Sequence, residues 1–172
     1  MTGLSWRTQC WRAARARLLP TLPIEVVRLR VRRAAELGLD YKTYAGVRAS
    51  TGHDLVAFLF SSNALRVLRA GQVLSADRMV RLGAVQAAGL IGLAVPPLQA
   101  ADLAQAAPVL RASHAAPHHL ASFAEARIRL RAALGSLPPD TVLLIGDHGL
   151  EAEWAAAGRL AGYLPAERYF GS

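Results

Sequence analysis

The stretch TVLLIGDHGL, residues 141–150, decides the fold. Thr141 to Ile145 is a short, wholly apolar or β-branched run. Pro138-Pro139 precede it and Gly146-Asp147 follow it, so turn-forming residues bound it on both sides. It reads as a strand buried on both faces. The residues after it, Leu150 to about Leu160, read as a helix. A doubly buried strand feeding a helix is the repeating unit of a parallel sheet covered by helices.

The same grammar extends towards the N-terminus. DLVAFLF, residues 54–60, fits a strand or a helix by periodicity alone. The polar turn Ser61-Ser62-Asn63 directly after it favours the strand. LIGLAV, residues 90–95, reads as a further buried strand, stopped by Pro96-Pro97. Val109 to Ala112 is short enough for one more. Helices are expected from Ser75 to Gly89, over residues 98–107, and from Ser122 to about Leu134, where Gly135 ends the last of them. Ser113 to Leu120 reads as a loop. The tail, Gly162 to Ser172, reads as a closing flap. The expected fold is therefore α/β: a small, three-layer-like sheet of three or four mostly parallel strands with flanking helices.

A basic, all-helical segment precedes that sheet. Residues 5–18 form an amphipathic pattern with Trp11, Ala14 and Leu18 on one face. A second helix begins near Pro23, where proline suits the first turn. Its apolar stripe is Ile24, Val27, Val31 and Ala34 or Ala35, and Gly38 closes it. Asp40 caps a third helix, about Tyr41 to Ser50, which Gly52 ends. The expected division is residues 1–52, a basic helical segment, and residues 53–172, a small α/β domain.

Charge follows the same division. The chain has 172 residues, 53% of them apolar, with 20 basic and 12 acidic side chains and a net charge of +8. One of the basic residues is Lys42 and the rest are arginines. Residues 1–33 hold eight arginines against Glu25, a net +7, which leaves +1 for all the rest. Such asymmetry points to a polyanion, an anionic surface or an acidic protein partner. A chain of this length buries roughly 70% of its unfolded surface and needs no metal or disulfide to fold. Cys10 is the single cysteine, so neither an internal disulfide nor a cysteine-built zinc site is expected.

The longest apolar run, Leu82 to Val95, has 14 residues, against about 20 for a transmembrane helix. The N-terminus lacks the apolar core of a secretory signal. A cytoplasmic protein with no transmembrane segment is expected. Phosphate-loop, dinucleotide-binding and nucleophile-elbow signatures are absent, and no cofactor is expected.

Three constellations are candidates for function. In residues 24–52, Ala34, Leu37, Gly38, Leu39, Tyr44 and Val47 stand at spacings that resemble the helix-turn-helix DNA-binding motif. There a small residue packs in the first helix, a glycine makes the turn, and apolar residues pin the second helix. Arg33 occupies a position that is usually apolar, and Gly46 interrupts the second helix.

The second constellation lies at the strand ends, where open α/β sheets bind ligands. It comprises Ser61, Ser62 and Asn63, with Asp147 and His148. A strand ending in Ser-Asn and another ending in Gly-Asp faintly resemble the haloacid dehalogenase superfamily. That resemblance implies a phosphate-binding role for Ser61 or Ser62 and a magnesium-holding role for Asp147. The family's Asp-x-Asp is absent here, and Lys42 is the only lysine. Asp147 also stands where a helix N-cap stands. The third constellation is His114, His118 and His119. Pro117 argues against a helical metal face there, and no metal site is expected.

The leading expectation is a non-catalytic binding or regulatory protein. Its contacts to a polyanion, nucleic acid first, are Arg12, Arg15, Arg28, Arg30, Arg32, Arg33, Lys42 and Arg48. Phosphate neutralisation is the mechanism. An enzyme of the phosphatase, hydrolase or transferase kind, using Asp147, Ser62 and His148, is the first alternative. A subunit docking on an acidic protein partner is the second.

Overall fold

A computed structural model describes residues 22–171. Its first helix, α1 (Ile24–Glu36), starts directly after Pro23. Gly38 follows with φ +69°, the left-handed turn that a residue with a Cβ resists. Asp40 then caps α2 (Tyr41–Thr51), its carboxylate accepting from the Thr43 N–H at 2.9 Å. Gly52, at φ +77°, ends that helix.

The remaining elements alternate. β1 (Ala57–Ser61) runs into a single helical turn, α3 (Ser62–Leu65). α4 (Ala76–Gly83) leads to β2 (Gly89–Ala94), and α5 (Ala100–Ala106) to β3 (Ala112–Ala115). α6 (Phe123–Leu134) precedes β4 (Val142–Gly146). α7 (Gly149–Gly158), β5 (Gly162–Pro165) and α8 (Ala166–Phe170) complete the described chain.

The 54–60 run is thus a strand, and the sheet has five strands, not three or four. Their order is β3-β2-β1-β4-β5. Every pairing is parallel; Leu59 stands between Ile91 on one side and Leu144 on the other. The uncounted strand is β5. Its four residues lie at an edge and only Leu164 is buried, so no apolar run marks it. The tail is therefore strand and helix, not a flap. β3 begins where the short strand was expected to end, which places His114 in the sheet and not in a loop. Gly89 opens β2; the helix before it has already stopped at Gly83.

Alternate residues of the buried strands face opposite layers, as the pleat requires. Phe58, Phe60, Leu90, Leu143, Ile145 and Leu164 form one core with Ala34, Leu37, Tyr44, Leu82, Leu103 and Tyr169. Ala57, Leu59, Ile91, Leu93, Val142 and Leu144 form the other, with Ala126, Leu130 and Trp154. α6 and α7 therefore cover one face, and the remaining long helices cover the other. Gly92 of β2 allows close packing there: a Cβ would sit 2.8 Å from a Leu103 methyl group and 2.7 Å from one of Leu110.

The apolar stripe expected on α1 is not its packing face. Ala34 is buried, but Ile24 is 62% exposed and Val31 46%. What holds α1 is its C-terminal third, together with Arg33. That side chain donates to Asp54 Oδ2 at 3.0 Å, to Glu36 at 3.2 Å and to the carbonyls of Leu55, Gln86 and Ala87. The guanidinium ties the helix to the segments entering β1 and β2. Among the described residues no helix is long and apolar enough to cross a membrane.

Candidate functional site

β1 is where the strand order reverses: β2 and β3 lie to one side of it, β4 and β5 to the other. In doubly wound sheets the crevice beyond the carboxyl ends of such strands is the usual ligand site. The chain leaves β1 through Ser61, Ser62 and Asn63, and leaves β4 through Gly146, Asp147 and His148. The structure brings these two sets together through Glu151, a residue the sequence reading passed over.

Glu151 projects from the first turn of α7 and is fully buried. Ser61 Oγ donates to its Oε2 at 2.9 Å, and Asn63 Nδ2 donates to its Oε1 at 2.7 Å. The Asp147 N–H donates to Oε2 at 2.7 Å, with the His148 N–H at 3.4 Å. Both carboxylate oxygens are therefore satisfied, which a buried charge requires. Gly146 makes room for this arrangement. A Cβ there would collide with Glu151 Oε2 and would lie 2.6 Å from the Tyr163 ring.

The hydroxyls are equally committed. Ser61 Oγ accepts from the Ala64 N–H at 3.1 Å and so caps α3. Ser62 Oγ accepts from the Val95 N–H at 3.0 Å, tying the end of β1 to the end of β2. Both serines are buried. Asp147 does not cap α7; the N-cap is His148, and Asp147 stands exposed one residue earlier. The Tyr163 hydroxyl donates to the His148 carbonyl at 3.0 Å. Burial first, then the charges of Glu151 and Asp147, push that phenol above its ordinary value of 10.0.

The histidines do not converge. His53 pairs with Asp140 at 2.8 Å. His118 Nδ1 accepts from the Leu120 N–H. His119 stacks on Trp154, with 5.3 Å between ring centres, and meets His148 edge-on at 6.1 Å. Among the described residues no three His, Cys, Asp or Glu side chains gather as a metal-binding group.

The basic residues divide into clamps and surface charges. Arg33 is a clamp, with every guanidinium nitrogen engaged, so it is withdrawn from the candidate phosphate contacts. Arg48 approaches Asp54 at 4.0 Å. Arg28 pairs with Glu25 at 2.9 Å on the open surface. Arg32 and Lys42 are exposed and Arg30 is half-exposed. Arg12 and Arg15 lie outside the described residues.

Beside the strand-end crevice lies a basic cleft that the sequence did not announce. Arg66, Ser75, Asp77, Arg78, Arg81 and Phe170 line it. Ser75, Asp77, Arg78 and Arg81 come from α4 and its N-cap, but Arg66 follows α3 and Phe170 ends α8, so no single stretch of sequence displays the whole cluster. Comparison of the chain with protein-family models, with curated proteins and with solved structures finds no match.

Proposed function

We propose that this chain is a non-catalytic binding protein that engages a polyanion, nucleic acid first, through its basic helices. The observation that carries the reading is the solvent-facing pair Arg28 and Arg32 on α1, inside a segment of net charge +7. The two residues are four apart and share one face of the helix. Lys42 on α2 and Arg30 add to the charge. The Arg33 clamp fixes α1 to the sheet, so the charges are offered on a rigid support and lose less freedom on binding.

Support for the non-catalytic half comes from the strand ends. Ser61, Ser62, Asn63 and Glu151 spend their hydrogen-bonding groups on one another and on the backbone. Two buried hydroxyls and a buried carboxylate offer a substrate little to meet. The enzyme reading, through Asp147, Ser62 and His148, is left with the exposed Asp147 and His148.

Anisotropy of labelled mixed-sequence DNA and RNA, titrated with the full chain across a salt series, tests the proposal. Each phosphate neutralised adds about 0.9 to the slope of log K against log salt for duplex DNA. Replacing Arg28, Arg32 and Lys42 together by Gln should flatten that slope by roughly 2–3. No binding to either nucleic acid in low-salt buffer sinks the proposal.

A second reading, docking on an acidic protein, is favoured by one observation. Ile24 and Leu29, each 62% exposed, stand beside those arginines. Phosphates have no use for apolar side chains, whereas the centre of a protein interface does. Ile24→Ser with Leu29→Ser separates the two: nucleic-acid affinity should stand, and affinity for a protein partner should fall.

A further inference from the structure

The basic cleft has a volume of about 570 Å³. That lies within the range of small-ligand pockets and is far more than a bare oxyanion fills. Three arginines and one carboxylate, Asp77, line it. Among the described residues, neither Arg66 nor Arg78 has a carboxylate within ion-pair distance. Two guanidinium groups thus face one opening with Asp77 on its wall but no carboxylate in direct contact with either, and bringing like charges together costs free energy that a bound anion offsets.

Arg78 is held in position. Its Nη1 donates to the Ala64 carbonyl at 3.2 Å, and its Cζ lies 4.2 Å from the centre of the Phe170 ring. That contact has cation–π geometry and fixes the plane of the guanidinium. Burial first, then the charge of Arg66, lower its pKa from the ordinary guanidinium value, while Asp147 and Asp77 act in the opposite direction. The bond to Ala64, in the helical turn that directly follows Ser61, places the cleft next to the strand-end crevice. Arg81 is anchored through the carbonyls of Gly38 and Tyr169 and contributes its charge.

Two further features fit a ligand. Arg66 has φ +56°, an uncommon conformation for a residue with a side chain. Ser75 is the N-cap of α4, yet its hydroxyl makes no capping bond. A cap residue whose side chain does not cap leaves a donor at the cleft wall.

We propose that this cleft binds the phosphoryl group of a small phosphate ester. Arg66 and Arg78 supply paired N–H donors, for which the planar guanidinium is suited. Arg81 supplies charge and Ser75 a hydroxyl. A phosphomonoester carries nearly two negative charges at neutral pH, one for each of the guanidinium groups of Arg66 and Arg78, where a carboxylate carries one. The volume beyond the phosphoryl group accommodates the ester, and Asp77 accepts from a ligand hydroxyl. The cleft shares no residue with the Arg28, Arg32 and Lys42 set, so either proposal can fail without the other.

Titration calorimetry of the full chain with inorganic phosphate and with phenyl phosphate tests the site. Phenyl phosphate should bind at one site, more tightly than inorganic phosphate. Arg66→Gln and Arg78→Gln should each weaken it by roughly ten- to a hundredfold, the loss expected for a charged hydrogen bond. The triple Gln variant at Arg28, Arg32 and Lys42 should bind as the parent does. Arg78 also holds the Ala64 carbonyl, so a measurement on the unaltered chain guards against misfolding. Phenyl phosphate should protect Arg66 and Arg78 from phenylglyoxal, read by peptide mass spectrometry. No heat up to about 10 mM ligand, a range in which even weak binding registers, together with no protection, overturns the site. Equal binding of inorganic phosphate and the ester overturns the ester assignment. Unchanged binding in both single variants overturns the assignment of the arginines.

Discussion

Glu151 and Asp147 stand four residues apart and meet opposite fates. Glu151 is buried, with donors on both oxygens, whereas Asp147 is exposed. Glu151→Ala strands the Asn63 amide and the Asp147 N–H, and should cost about 3 kcal/mol or more in urea unfolding. Glu151→Gln should cost less than half as much, because Asn63 can turn its amide to meet the new one. Asp147→Ala should stay within about 0.5 kcal/mol and leave nucleic-acid affinity unchanged. A large loss of stability in Asp147→Ala, or a small one in Glu151→Ala, would refute the assignment. Tyr169 supplies a pH test. It is buried and donates to the Leu37 carbonyl at 3.2 Å, and burial pushes its phenol from 10.0 up to about 12. The folded state holds this proton more tightly than the unfolded state does. The stabilisation is therefore complete below pH 10 and is lost as pH rises towards 12, and Tyr169→Phe should remove that part of the alkaline decline.

α1 shows how a helix can be legible in its limits and misread in its facing. Pro23 and Gly38 mark its ends, and Asp40 and Gly52 mark those of α2; each residue acts through its own backbone, so the sequence carries the signal. The facing of α1 depends on partners 20 to 50 residues away, and a periodic stripe cannot report them. Ala34 and the Arg33 clamp outweigh Ile24 and Val31. Arg33→Ala should cost about 2–3 kcal/mol, because it takes the guanidinium donors from Asp54 Oδ2 and from three carbonyls. Arg32→Ala, one residue away, should be within about 0.5 kcal/mol. Thermal melts of the pair give the comparison. The strands divide in the same way. β1, β2 and β4 are buried on both faces and announce themselves as apolar runs. β5 shows one buried residue in four and announces nothing. Ser61, Ser62, Asn63 and Asp147 were legible as strand ends. Glu151 was not, because a glutamate in the first turn of a helix looks like a surface residue until the fold encloses it. Arg66, Arg78 and Phe170 come from three separate elements and meet only in space.

Across the molecule, charge and chemistry are segregated. Most of the net positive charge lies before residue 34, while the reversal of strand order lies at the ends of β1 and β4. The proposed nucleic-acid binding should therefore collapse with added salt. Burial of the strand-end network protects it from ionic strength, since screening acts mainly on exposed charges, and a salt series of unfolding midpoints for Glu151→Gln and its parent should run parallel. The outline of the sheet has a further consequence. Its two outermost strands, β3 and β5, are four residues each, and β5 ends in Pro165. An unpaired row of backbone groups is a template on which another chain can add a strand, and natural sheets blunt it with short borders and proline. Neither border here offers more than a few such groups. Among the described residues, the borders of the sheet therefore give a neighbouring chain little backbone on which to extend it.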